Sequence, residues 1–275
     1  MAISCLPLLL FALLFWSHFL NQSPAVVEGS GLRVLNFNIL YSNHDYAAIA
    51  LLIKSQRPDL VALQEVQPEA MRYLVEQLAE DFPHYAQATY NPYGTTAIFS
   101  RLPVRSTYIL DLEADRSAVA MRVLDGERSI TFISAHLRAF GWPTINYLWE
   151  NDSLSAALFA ARQFRVEQNR QAEILVQALS GNGDDAAILA CDCNSKAFMS
   201  TYALLNKELK SATQAVGWQA WRAIPANAYP ELNPQNVEYT FYGGALSPTT
   251  AYKLRQNAGS DHDPLFSEFV WGIAK

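Results

Sequence analysis

Short apolar runs that each stop on a polar or ionisable residue narrow the folds open to this chain. Leu32 to Leu40, Leu60 to Leu63, Ile130 to Ala135 and Ala186 to Ala190 have the length of strands and are too short for core helices. Runs of this kind, bounded by turn signals, are what strands covered on both faces look like. Helical spacing fills the intervals: Asp45 to Gln56 with Ile49, Leu52 and Ile53 apolar, Pro68 to Asp81 with proline in its first turn, Ser155 to Leu179, and Thr201 to Leu209. Past Tyr90 the pattern turns to short strands at Thr96 to Ser100, Val104 to Leu110 and Ala118 to Leu124. Asp125-Gly126 is a hairpin signal before the next strand, and further strands are expected near Tyr239 and Phe266. Helices interleaved with hairpin-linked strands indicate a layered α/β domain with mixed sheets.

A hydrophobic fraction of 51% against 17% charged residues supplies a large core, and one domain over residues 32–275 is the economical reading. The formal charge of -6 argues against broad electrostatic capture of nucleic acid and leaves a locally basic cleft open. Cys191 and Cys193, two positions apart, are expected not to bridge each other and to pack as small core residues. Residues 1–31 form a separate unit. Ile3 to Leu20 is apolar except for Ser4, Cys5, Ser17 and His18, and no Lys or Arg precedes Arg33, so a signal or membrane-anchor segment is expected, followed by a short linker. Without flanking basic residues its orientation cannot be assigned.

The residues that close the apolar runs carry the chemistry. Strand ends in a layered α/β domain converge on one rim, where rigid elements hold polar groups in place. Singly, Glu65 reads as a solvated carboxylate, Asp192 with Asn194 as an Asx turn, and His136 as a structural hydrogen-bonding residue. Taken together, the series Asn36-Phe37-Asn38, Gln64-Glu65, Ser134-Ala135-His136-Leu137, Asp192-Cys193-Asn194 and Ser260-Asp261-His262-Asp263-Pro264 resembles the endonuclease/exonuclease/phosphatase superfamily in order and spacing, from Leu32 to about Val270. The resemblance implies a four-layer sandwich of two packed mixed β-sheets flanked by helices, and divalent-metal-dependent hydrolysis of phosphodiesters. Such an anion repels hydroxide, so cleavage needs a Lewis acid, and Mg²⁺, with Mn²⁺ as a substitute, suits oxygen donors. By the same resemblance Asn38, Glu65 and Asp261 are expected at the metal. Asp192 orients or deprotonates the attacking water, Asn194 positions water or phosphate, and His136 and His262 flank the scissile phosphate. Arg116 and Arg138 are candidate phosphate contacts.

Two departures from the family pattern stand out. Glu238, in Val237-Glu238-Tyr239-Thr240-Phe241, occupies the place where an aspartate usually orients the terminal histidine. Leu40 stands where apurinic-site nucleases carry an acidic residue, which argues against that branch. Trp142, Tyr147, Trp149 and Phe159 fall in a region of variable family loops, suited to packing beneath a loop, a substrate mouth or a lipid contact. The expected function is a membrane-anchored or exported phosphodiesterase acting on nucleic acid or a phospholipid-type diester. The competing expectation is a binding domain that keeps the fold but has lost turnover through Glu238.

Overall fold

A computed structural model of the protein describes residues 31–89, 95–139, 154–180, 183–216 and 237–272. The expected anchor segment and Trp142, Tyr147 and Trp149 lie outside the described residues. The elements run β1 (Leu32–Asn38), α1 (Tyr46–Gln56), β2 (Leu60–Gln64), α2 (Pro68–Leu78), β3 (His84–Ala88), β4 (Thr96–Ser100), β5 (Val104–Asp111), β6 (Ser117–Asp125), β7 (Arg128–His136), α3 (Leu154–Ser180), β8 (Ala186–Asp192), α4 (Ser200–Glu208), β9 (Lys210–Ser211), α5 (Ala212–Val216), β10 (Glu238–Gly244), β11 (Leu246–Lys253) and β12 (Leu265–Trp271). Two six-stranded mixed sheets pack together, in the orders β11-β12-β1-β2-β4-β3 and β5-β6-β7-β8-β10-β9. Each contains one parallel pair, β1 with β2 and β7 with β8, whose crossovers carry α1 and α3 respectively. The expected four-layer sandwich is therefore the observed architecture.

Local chemistry accounts for the element ends. The Asp45 side chain caps α1 by accepting from the Ala48 N–H, and α1 stops at Arg57 in the left-handed conformation. Gly126, at φ +64, makes the tight turn between the paired ends Asp125 and Arg128 of β6 and β7.

Side-chain alternation then sorts residues into layers. Leu35, Phe37, Val61 and Leu63 pack outward on α1 and α2, while Ile133, Leu189 and Phe241 pack outward on the second sheet's helical side. The inward-facing layer contains Val34, Leu60, Ala62, Phe132, Ile188 and Tyr242. Followed toward the ends of these same strands, that inward layer turns polar: Asn36 and Asn38, Gln64, Ser134 and His136, Asp192, and Thr240 and Glu238 are all buried. The site is thus an extension of the inter-sheet core, with apolar side chains replaced by hydrogen-bonding ones.

A polar seam joins the sheets where that change occurs. Asn36 Nδ2 donates to the carbonyls of Cys191 (3.2 Å) and Tyr239 (3.1 Å) in the opposite sheet, and its Oδ1 accepts from Gln64 Nε2 at 2.9 Å. Gln64 Nε2 also reaches Ser134 Oγ (3.2 Å), which donates to the Leu63 carbonyl (3.1 Å). Replacing Asn36 by Leu strands several of these buried groups and is expected to cost about 2–3 kcal/mol of unfolding free energy. A denaturant titration giving the wild-type midpoint and slope would show that the seam does not hold the sheets together.

Candidate active site

Pairing register builds the site from the second sheet. His136, the last residue of β7, stands opposite Asp192, the last of β8, and Asp192 stands opposite Glu238, the first of β10. Neighbours in register point to one face, so the three form a row on the inward side. From the first sheet come Asn38, ending β1, and Glu65, immediately after β2. Glu65 has φ +58, a left-handed conformation that non-glycine residues seldom adopt. Its carboxylate is fixed in return: Oε2 accepts from the Tyr41 N–H at 2.9 Å, and Oε1 from Asn38 Nδ2 at 3.0 Å. The same Nδ2 donates to Asp192 Oδ2 at 2.8 Å, so Asn38 ties the carboxylates of the two sheets together. Asn38 Oδ1 accepts from the Leu40 N–H at 3.0 Å. His136 Nε2 lies 3.8 Å from Glu65 and 3.6 Å from Asp192. Ligand atoms of Glu65, His136 and Asp192 all lie within 4.8 Å of one another, as do those of Asp192, Glu238 and His262.

His262 arrives on the connection between β11 and β12. Ser260 Oγ pins that connection by donating to the Asn38 carbonyl at 2.7 Å and accepting from the His262 N–H at 3.1 Å. Nδ1 of His262 bonds Oε1 of Glu238, and the other oxygen of Glu238 takes Lys253 Nζ at 2.5 Å. The extra methylene of glutamate therefore does not prevent contact with the histidine. Burial pushes the His262 imidazole toward neutrality, but the Glu238 bond and the nearby Asp192 charge win and raise its pKa to about 9. Burial likewise opposes ionisation of Glu238, yet His262 and Lys253 hold its carboxyl down at about 2. For Asp192 burial prevails and raises its pKa, against the pull of His136.

Four further candidates take different positions. Asn194, at φ +45, donates Nδ2 to the Leu137 carbonyl (3.0 Å) and its backbone N–H to Asp192 Oδ1 (3.2 Å). Asp261 is largely exposed, belongs to neither metal-capable group, and stands 3.7 Å from His262 Nε2. Arg138 pairs with Glu167 on α3. Arg116, on the turn into β6, forms no ion pair among the described residues. Burial lowers its pKa while Glu65 and Asp192 attract it, and its buried Nε has no hydrogen-bond partner.

Cys191 and Cys193 correct an expectation. Both pack in the outer core as expected, but their sulfurs are bonded, with the Cα atoms 5.1 Å apart. β8 ends at Asp192, and the chain contracts there enough to bring the pair within disulfide reach.

Sequence reasoning missed Lys253, Lys196 and Gln168, and gave Ser260 no role of its own within its motif. Gln168 Nε2 on α3 donates to the carbonyls of Arg138 (2.9 Å), Cys193 (3.2 Å) and Asn194 (2.9 Å), binding together the loops after β7 and β8. Burial lowers the Lys196 pKa, against attraction from Glu238 and Asp192. Lys196 and Asn194 share the wall of a cavity of about 640 Å³ with Phe164, Phe198, Met199 and Val237.

Comparison with known proteins identifies the family and the fold. The model of the Endonuclease/Exonuclease/phosphatase family matches residues 35–262. Among solved structures, an endonuclease/exonuclease/phosphatase from Beutenbergia cavernae is 18% identical, with TM-score 0.65 over 89% of this chain and 72% of that one. The human Nocturnin catalytic domain with bound sulfate is 17% identical, with TM-score 0.61 over 89% and 96%. TDP2 of D. rerio complexed with a single strand DNA product is 14% identical, with TM-score 0.64 over 88% and 100%. At these identities the structural likeness shows the fold. No curated protein matches the chain.

The charge pattern fixes a stability profile. With its folded pKa raised to about 9, His262 contributes stability that is complete below its ordinary 6.5 and lost as pH rises through 9. Glu238, depressed to about 2, contributes above its ordinary 4.5 and loses that contribution as pH falls through 2. In chelator, the melting temperature of the metal-free protein is therefore expected to fall as pH rises from 6.5 past 9, and Glu238→Gln to flatten that fall. An unchanged alkaline slope in the variant would refute the assignment.

Proposed function

The chain belongs to the endonuclease/exonuclease/phosphatase family, and from that premise we propose that it is a divalent-metal-dependent phosphodiesterase with its centre at Asn38, Glu65, His136, Asp192, Asn194, Glu238 and His262. The observation that carries the reading is the convergence of Asn38 and Glu65 from one sheet with His136 and Asp192 from the other, tied by the two bonds of Asn38 Nδ2.

The donor set fits a hard cation. Glu65 and Asp192 present carboxylate oxygens to one small space, with His136 beside them, and carboxylates in such numbers favour a divalent ion such as Mg²⁺ or Mn²⁺. Glu65 would hold it, with Asn38 tying that carboxylate to Asp192 and Asp261 at the open edge. The ion would supply Lewis-acid neutralisation of phosphoryl charge. The remaining work belongs to side chains. Asp192, its pKa raised by burial, is suited to take a proton from the attacking water. The N–H of Asn194 holds Oδ1 of that carboxylate in orientation. His262, held protonated by Glu238, donates from Nε2 to a phosphoryl or leaving oxygen. Arg116, with no ion-pair partner among the described residues, is the stronger phosphate contact, whereas Arg138 already holds Glu167.

For the substrate we retain nucleic acid and phospholipid-type diesters. The net charge of -6 weighs against capture of long duplexes, and the cavity beside Asn194, walled by Phe164 and Phe198, gives an apolar substituent somewhere to lie. Placement of the domain at a membrane or outside the cell is likewise proposed, from Ile3 to Leu20. Among the described residues no helix is long and apolar enough to cross a membrane.

Bis-p-nitrophenyl phosphate tests the activity without assuming a substrate. Turnover is expected to vanish in excess chelator and return with Mg²⁺ or Mn²⁺, and Glu65→Gln to raise the Mg²⁺ concentration needed before it affects melting. Full activity in chelator would sink the reading. In cell fractionation the full chain is expected with membranes and a chain beginning at Gly31 in the soluble fraction, and identical partitioning of the two would remove the anchor.

A further inference from the structure

Lysine is almost never fully buried unless something in the fold fixes it there, yet Lys253 is 6% exposed. It closes β11, the edge strand of the first sheet, two positions after the fully buried Ala251. Its Nζ crosses to the second sheet and meets Oε2 of Glu238 at 2.5 Å, with side chains 7% and 1% exposed. The other oxygen of that carboxylate, Oε1, meets Nδ1 of His262. Lys253 and His262 flank a single connection, closed at its base by the Leu254 N–H donating to the Pro264 carbonyl at 2.8 Å. Glu238 is thus gripped on both oxygens by the two arms of one loop.

We propose that Lys253 is a positioning residue of the hydrolytic centre: by holding one oxygen of Glu238 it aims the other at His262, and so directs Nε2 of the imidazole at the phosphoryl group. The inference rests on the phosphodiesterase reading above and adds to it a residue that reading does not need. A glutamate side chain has three rotatable bonds, and a bond at Oε1 alone leaves its carboxylate free to turn about the last of them. An ammonium at Oε2 removes that freedom, because the carboxylate then has an anchor on each side. Joining the sheets is a poor reason for the pair, since a buried ion pair seldom stabilises more than well-packed apolar residues of the same volume. A strict geometry at His262 is a sufficient one, because small misplacements of a proton donor cost large factors in rate.

The full chain is compared with Lys253→Met, Lys253→Gln, Glu238→Gln and the Lys253→Met/Glu238→Gln double variant, using bis-p-nitrophenyl phosphate with Mg²⁺. Lys253→Met is expected to lower kcat by about 10- to 100-fold, the scale for losing a partner that orients a catalytic group. KM is expected to stay within about twofold, since the contact matters only to the reacting geometry. The double variant is expected to be no slower than Glu238→Gln alone, because both residues act through one chain of contacts. Losses that multiply in the double variant, or an unchanged kcat in a Lys253→Met protein that melts earlier, would assign the lysine a structural role and overturn the proposal. Should Lys253→Met not fold, Lys253→Gln keeps a donor without the charge, and the same drop in kcat at constant KM is required of it. Proton NMR supplies a readout independent of turnover: a downfield Nδ1–H signal of His262, absent in Glu238→Gln, is expected to weaken or vanish in Lys253→Gln, and its persistence unchanged would equally overturn the proposal. A wild-type chain that hydrolyses no diester fails the functional reading, while the NMR comparison still decides the role of Lys253.

Discussion

Negative charge enclosed between two sheets is the constraint on which this structure turns. Asp192 and Glu238 are almost completely buried on adjacent strands in direct register, with Glu65 facing them from the other sheet. Carboxylates so placed repel one another and have lost most of their hydration, which is tolerable only where cations and hydrogen-bond donors take its place. The neighbourhood supplies them in layers. Lys253 and the imidazolium of His262 hold Glu238, Asn38 donates to both Asp192 and Glu65, and Arg116 and Lys196 stand within electrostatic reach of Asp192. For Asp192, the most deeply desolvated of these groups, the donors and cations do not offset burial, and its proton affinity rises. A site arranged to accept added positive charge next to one underpaired carboxylate is well matched to a divalent cation beside a proton acceptor.

The fold makes this arrangement cheap by reusing its core geometry. Each strand that supplies a site residue does so from the face that elsewhere packs the two sheets together, so the rigidity of Val34, Phe132 and Ile188 passes directly to Asn38, His136 and Asp192. Asn36, Gln64 and Ser134 mediate the change from apolar to charged surroundings, because their bonds to the opposite sheet satisfy groups that would otherwise be stranded. The remaining residues come on loops, and these too are tied to strand ends: Ser260 to Asn38, and Gln168 to the segments after β7 and β8.

Most of this was legible in the sequence where burial was two-sided. β1, β2, β4, β7 and β8 announce themselves as apolar runs, and the polar residues that close them mark the rim. The strands that escaped notice are at sheet edges. β3, His84–Ala88, alternates partly exposed positions with only Ala88 buried, and β11 contains Pro248 and a register shift before Thr250, so neither presents an apolar run. Lys253 escaped for the same reason: only knowledge that β11 is paired shows that its period-2 positions face inward. The disulfide of Cys191 with Cys193 depended on where β8 ends, and strand ends are what a sequence specifies least. Glu238 looked like a defect because a sequence shows the extra methylene and hides the lysine across the inter-sheet space.

Backbone conformation supplies an argument for function that is independent of family resemblance. Glu65 and Asn194 both sit at positive φ, which costs a residue such as glutamate roughly 1–2 kcal/mol and asparagine less. Neither is placed there by a turn that glycine could not have made more cheaply. Both are over-determined by hydrogen bonds that depend on their own side chains: Glu65 through the Tyr41 N–H and Asn38, Asn194 through the Leu137 carbonyl. At Glu65 the contacts that hold this conformation are also contacts of the candidate site. At Glu65 the left-handed turn swings a carboxylate back over the strand end it has just left, toward Asp192 and His136. At Asn194 it returns the backbone N–H to Asp192, so that both strained residues serve the same carboxylate cluster from opposite sheets.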